Sequence, residues 1–166
     1  GGVDYRLRAL EQAEIYHFPL DATATESLRT SFTSISPDDG QAEAVLNING
    51  RNLQTIREGD GIVWFDFEVI CNSPRSVSDY IELAKCYNTV LISDVPVMSE
   101  TSEDAALRFV QLVDEFYDRN VKLILSAEAY SDGLYQGKKH AFAFERTHSR
   151  LEEMQSHEYL ERPHLP

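Results

Sequence analysis

The sequence predicts an α/β fold, a parallel βαβαβ sheet with flanking helices, preceded by a small hairpin-containing N-terminal segment. Three apolar runs, at 62–70, 89–94 and 121–126, alternate with two segments whose apolar residues recur at helical spacing. Strands that are apolar on both faces belong to sheets covered on both sides, which crossover helices provide. The dipeptide Asn49-Gly50 stands between two strand-like runs, and both of its residues tolerate positive φ, a strong hairpin signal.

The elements follow in order. Residues 3–8 and 15–18 read as short strands, the second closed by Pro19. Asp21 is placed to cap a helix with the stripe Leu28, Phe32 and Ile35. Residues 36–40, Ser-Pro-Asp-Asp-Gly, form a loop, and the runs 45–48 and 53–56 flank the hairpin turn. The run 62–70 reads as a strand, with Val63, Phe65, Phe67 and Val69 on one face and Ile62, Trp64, Asp66 and Glu68 on the other. Ser76 and Asp79 have capping-box spacing ahead of a helix carrying Val77, Tyr80, Ile81 and Ala84. After the strand 89–94, a helix starts near 101–104, buries Phe109, Val113 and Phe116, and ends at Arg119-Asn120 before the strand 121–126. Residues 147–160 read as one polar helix, with Ser149 and Glu152 as a capping pair and a thin stripe of Leu151 and Met154. The rhythm changes near Gly59-Asp60-Gly61, which divides the chain into a strand-and-hairpin segment (1–60) and an α/β domain (61–166).

Composition narrows the function classes. The chain has 166 residues, 42% of them hydrophobic, enough to build a core and too many for a disordered tail. Its formal net charge of −13 repels phosphate backbones, so the reading excludes nucleic acid as a partner. No apolar run is long enough to span a bilayer, and nothing near the start reads as a targeting peptide, so a cytoplasmic site is expected. Cys71 and Cys86 match no zinc or redox spacing and suit a reducing compartment as half-buried thiols. The opening Gly1-Gly2-Val3-Asp4 is read as the start of a segment of something longer.

Parallel sheets gather functional groups at the carboxyl ends of their strands. Here those ends carry Asp94 and Ser126, where a nucleotide-hydrolysing domain keeps a magnesium-binding Asp and a polar γ-phosphate sensor. The sequence has no Gly-x-x-x-x-Gly-Lys-Ser/Thr, however, and without its amides and Lys nothing cradles phosphates. The alternative role for Asp94 is to cap the loop 99–104. Arg146 and Arg150, four apart, share a helix face and could grip a phosphate; the alternative is pairing with Glu145, Glu152 or Glu153. Arg6 and Arg8 alternate on the expected first strand and so share a face, as a weaker pair of the same kind. The five histidines have no metal spacing, no metal site is expected, and neither a Gly-x-Ser-x-Gly elbow nor a Cys–His pairing supports a hydrolase triad.

Several runs occur in a familiar order: Asp4-Tyr5-Arg6-Leu7-Arg8, Trp64-Phe65-Asp66-Phe67, Asp79-Tyr80-Ile81-Glu82-Leu83-Ala84 and Ser93-Asp94-Val95-Pro96. Arg108-Phe109, the run from Leu112 to Asp118, and Phe144-Glu145-Arg146-Thr147 through Ser149-Arg150-Leu151 to Glu153-Met154-Gln155-Ser156 complete it. Over nearly its whole length the chain resembles the C-terminal half of the ZapE family, Afg-type P-loop ATPases with an AAA-like core. The resemblance implies ATP and magnesium as cofactors of a full-length parent, with none expected for this segment. It implies an upstream ATPase domain as partner, association with division-ring or inner-membrane proteins, a cytoplasmic site at the membrane periphery, and an oligomer. Within it, Arg146 and Arg150 are expected to reach phosphate across a boundary, with Arg6, Arg8, Asp94 and Ser126 as further nucleotide contacts. The other readings are an interaction module, or a degenerate nucleotide-binding fold that has lost its loop and remains as scaffold.

Overall fold

The computed structural model describes residues 2–166, with side chains described from Asp4 onward. Its elements are α1 (Gly2–Gln12), β1 (Tyr16–His17), α2 (Ala24–Ile35), β2 (Gln41–Ala42), β3 (Val45–Ile48), β4 (Arg51–Gln54), β5 (Arg57–Gly59), β6 (Ile62–Asp66), α3 (Phe67–Ile70), α4 (Val77–Cys86), β7 (Thr89–Val95), α5 (Glu103–Asp118), β8 (Lys122–Ala127), α6 (Ala141–Glu153) and α7 (His157–Leu160). Six strands form one sheet in the order β1-β8-β7-β6-β5-β2. The four from β1 to β6 are parallel, and β5 and β2 extend the sheet antiparallel. The βαβαβ unit is therefore present, and the first sixty residues add β1 at one edge and β5 and β2 at the other.

Alternation along each strand sends successive side chains to opposite faces and so builds two cores. Val63, Phe65, Val90, Ile92, Leu123 and Leu125 meet Tyr80, Phe109, Val113, Phe116, Phe144 and Leu151 from α4, α5 and α6. Ile62, Trp64, Leu91 and Ile124 meet Leu10, Leu28, Phe32 and Leu160 from α1, α2 and α7.

The hairpin forms on β3 and β4, with Ile48 opposite Arg51 and Asn49 and Gly50 at φ 53° and 81°. Both values are left-handed, as a two-residue turn of this hand requires. The hairpin docks through the buried Asp79 of α4, which accepts from Asn49 Nδ2 at 3.1 Å and Arg51 Nη1 at 3.4 Å and also from the Ser76 amide at 3.1 Å. That last bond is the expected capping contact at the start of α4.

Three expectations are corrected. Residues 3–8 lie in a helix, not a strand: Leu7, Leu10, Ala9 and Ala13 repeat at three- and four-residue steps and pack on the α2 side. The strand at 62 stops at Asp66, whose carboxylate accepts from the Glu68 amide at 2.9 Å and starts α3. The C-terminal helix begins six residues earlier than expected, at Ala141, and breaks after Glu153. Ser149 and Glu152 are thus interior, and Ser156 is the residue that caps a helix, accepting from the Tyr159 amide at 3.2 Å. Leu151 and Met154 are both buried, so this region is core. Cys71 is buried, and burial pushes its thiol up to about 12; Cys86 is exposed. No helix among the described residues is long and apolar enough to cross a membrane.

Candidate functional site

Register brings four polar side chains into one row at the carboxyl edge of the sheet. Asp66 of β6 pairs with Ser93 of β7, and His17 of β1 pairs with Ser126 of β8. All four point to the face that carries Trp64, Leu91 and Ile124, where α1 and α2 pack. Ser93 and Ser126 are buried, and Trp64 Nε1 donates to Ser93 Oγ at 2.6 Å. A polar edge one residue beyond an apolar core is where sequence and topology together place a site.

Between Ile92 and Val95 the pairing of β7 with β8 slips by a residue, and Asp94 occupies the bulge at φ 64°. A bulge frees a backbone group and re-aims a side chain. Here the freed Asp94 amide donates to Ser126 Oγ at 2.9 Å, and the carboxyl stands exposed. Its pKa is raised, first by desolvation and then by the carboxylate of Asp66. A left-handed non-glycine residue at the carboxyl end of a central strand is held there by its surroundings. Asp94 does not cap the loop 99–104; Ser99 and Ser102 do so themselves, the Ser99 amide donating to Ser102 Oγ at 2.9 Å.

His17 is clamped at the end of the row. Its Nδ1 lies 2.6 Å from Glu14 Oε1 and its Nε2 2.9 Å from Asp21 Oδ1. The hydrogen bonds that it donates to Glu14 and Asp21, in that order, raise its pKa against the opposing effect of burial. Burial acts to raise Glu14, but hydrogen bonds from Ser27 and His17 outweigh it and its pKa is lowered. With both ring nitrogens engaged by carboxylates, the imidazole is held in place and its charged form is favoured. A cavity of about 430 Å³ opens beside it between α1 and α2, lined by Glu14, His17, Glu26 and Ser31.

The arginines of interest lie elsewhere. On α6, Arg146 Nη2 donates to Asp114 Oδ2 of α5 at 2.9 Å, and Arg150 Nη1 donates to the other oxygen of the same carboxylate. The partner is Asp114, in place of the glutamates near in sequence. Arg150 also covers the Tyr117 ring at 4.7 Å, and its side chain is 24% exposed against 52% for Arg146. Two guanidiniums share one carboxylate, so this trio carries one net positive charge. Because residues 3–8 are helical, Arg6 and Arg8 point apart: Arg8 is exposed, while Arg6 lies beside Lys122 at the amino edge of the sheet. Asp94 and Ser126 are brought together; Arg6 and the α6 pair are not brought to them.

ATP with magnesium, which the resemblance implies, does not fit the carboxyl edge. Asp66, Asp94 and Glu128 set carboxylates there, both ring nitrogens of His17 are already taken by carboxylates, and the sequence has no glycine-rich cradle. Nor do three or more His, Cys, Asp or Glu side chains converge as a metal site among the described residues. Sequence reasoning missed His17, Asp114 and Lys122. The first two enter through pairings that no local pattern reveals, and Lys122 stands at a strand's first position, where a surface lysine is the ordinary expectation.

Residues 1–163 match the family model described as AFG1-like ATPase. The chain is 42% identical over 164 residues to the cell division protein ZapE of Escherichia coli strain K12, which covers 99% of this chain and 44% of that protein. It is 28% identical over 193 residues to lactation elevated protein 1 homolog B of Danio rerio, covering 95% of this chain and 38% of that protein. The chain thus spans less than half the length of these curated relatives. No solved structure matches it.

Proposed function

Because this chain belongs to the AFG1-like ATPase family, we propose that it serves ATP hydrolysis as a portion without a phosphate-binding loop. In this reading α6 presents Arg146 to phosphate held by an upstream ATPase domain or a neighbouring subunit, with Arg150 as its brace. The observation that supports it is the shared carboxylate: Asp114 neutralises one of two guanidiniums, and the half-exposed Arg146 keeps donors free in a chain of charge −13. A guanidinium brought to a transferring phosphoryl group stabilises the charge that develops there. Arg8, exposed on α1, is a second cation for such a role. ATP and magnesium would be bound by the partner domain. The cell-division name of the bacterial relative supports a role in cell division, and partners at the division ring with a cytoplasmic place beside the membrane belong to the same reading.

The test is ATP turnover by the hydrolysing protein that contains this chain, with and without Arg146→Ala. A fall in kcat of about tenfold or more at near-constant nucleotide affinity is expected, since arginine fingers contribute at least that much. Unchanged turnover would remove the role.

A second reading, as an interaction module, draws on Phe142. This α6 side chain is 86% exposed, and Leu107 of the packed helix α5 is exposed too. An apolar side chain beside the Arg146 cation suits a protein surface with aliphatic and acidic groups.

A further inference from the structure

Lys122 opens β8 at the edge of the sheet opposite the polar row, and it is only 5% exposed. Its Nζ donates to the carbonyls of Asn120 and Arg162, both at 2.7 Å, and lies 4.8 Å from the centre of the Tyr159 ring. An ammonium has three donors, so one remains, and no carboxylate pairs with it among the described residues. Buried charge without a counter-charge is costly, and proteins keep it where something supplies the counter-charge.

Lys122 lines a cavity of about 200 Å³ together with Arg6 of α1 and Arg162 of the C-terminal segment. Arg162 is paired with Glu153 at 3.1 Å, whereas Arg6 has no ion-pair partner among the described residues. Other polar groups at the cavity have partners: Asn88 Oδ1 accepts from Thr89 Oγ1 at 2.8 Å. Glu161 lies 3.2 Å from His157, and His164 Nε2 lies 2.5 Å from the Ala84 carbonyl. Leu7, Leu10 and Leu160 form the apolar wall. Two uncompensated cations against an aliphatic wall describe a ligand with one anionic head and a short apolar body. The volume suits a few carbons and is too small for a nucleotide. Glu161 at the rim and the apolar wall disfavour a dianion that has no hydrocarbon.

We infer that this cavity binds a small aliphatic carboxylate, either a free acid or the C-terminal residue of a peptide, with its carboxylate between Lys122 and Arg6 and its chain on Leu7, Leu10 and Leu160. This site is separate from the arginines of α6. Lys122 also makes binding depend on pH. Burial first, then Arg162 and Arg6, bring its pKa down to about 8, so it is charged at neutrality and loses its proton just above.

The test is titration of the full chain by amide-resolved NMR with butyrate, a short peptide acid ending in leucine, its C-terminal amide, and inorganic phosphate. Saturable shifts at Asn88, Lys122 and Leu160 are expected with both carboxylates, with phosphate weaker and the peptide amide silent. The tighter of the two carboxylates identifies the source. Arg6→Gln, on a partly exposed helix face, should weaken butyrate binding about tenfold, the loss of one charge-assisted hydrogen bond. Lys122→Met should abolish it, and affinity should fall as pH rises through about 8. Absence of saturable shifts with either carboxylate, unchanged affinity in Arg6→Gln, or phosphate binding more tightly than both would overturn the assignment.

Discussion

Replacing Ser126 by alanine tests whether the bulge at Asp94 is held as described. The Ser126 hydroxyl is buried and accepts the Asp94 amide at 2.9 Å, at the point where β7 slips against β8. Alanine fits the same space and removes the acceptor. A partly buried amide left without a partner costs about 1–2 kcal/mol. For a domain of this size each kcal/mol moves Tm by about 2–4 °C, so thermal unfolding followed by circular dichroism should shift down by about 2–8 °C. The local signature is sharper. Amide hydrogen exchange at Asp94 should accelerate by about tenfold, the equivalent of about 1.4 kcal/mol, while the β6 amides stay protected. An unchanged Tm with unchanged exchange at Asp94 would show that something other than Ser126 fixes the bulge.

Further predictions concern charge and surface. Arg150→Ala should lower Tm by more than Arg146→Ala, since Arg150 is the less exposed partner of Asp114 and also covers Tyr117; melting curves of the two variants decide this. The Glu14–His17–Asp21 cluster should give a stability maximum in mildly acidic solution. His17 is raised, so its contribution is complete below its unfolded pKa and is lost as pH rises through the folded value. Glu14 and Asp21 are lowered, so theirs is present above the ordinary carboxylate range and is lost as pH falls. Urea unfolding of wild type and His17→Gln across pH should show the alkaline fall flattened in the variant. Phe142→Ser should leave Tm within about 1 °C, as exposed substitutions do, and on the interaction reading it should weaken capture of the chain's partners.

The parallel core was legible because 62–66, 89–95 and 122–127 are nearly all buried, and the helices between them keep a single apolar stripe. Asn49-Gly50 located its turn because local φ demands decide such turns. The first helix was not legible as one. Val3, Tyr5 and Leu7 alternate like a strand, and the competing Leu7–Leu10 and Ala9–Ala13 spacing acquires meaning only once α2 and β6 are in place. Asp94 and Ser126 could be placed at neighbouring strand ends, but their hydrogen bond depends on a bulge. Neither the row that joins Asp66 to His17 nor the Asp114 carboxylate, 32 residues before Arg146, has a local signature. Long-range register and charge pairing set them, and these follow from packing the whole sheet.

Calorimetric titration of the chain with magnesium-ATP tests the central claim, that this part of an AFG1-like ATPase contributes charge and surface but does not itself cradle the nucleotide. No saturable heat is expected, because carboxylates occupy the carboxyl edge and the sequence has no phosphate-binding loop. Micromolar binding that is lost in Asp94→Ala would contradict the account and would make the bulge at Asp94 a nucleotide site.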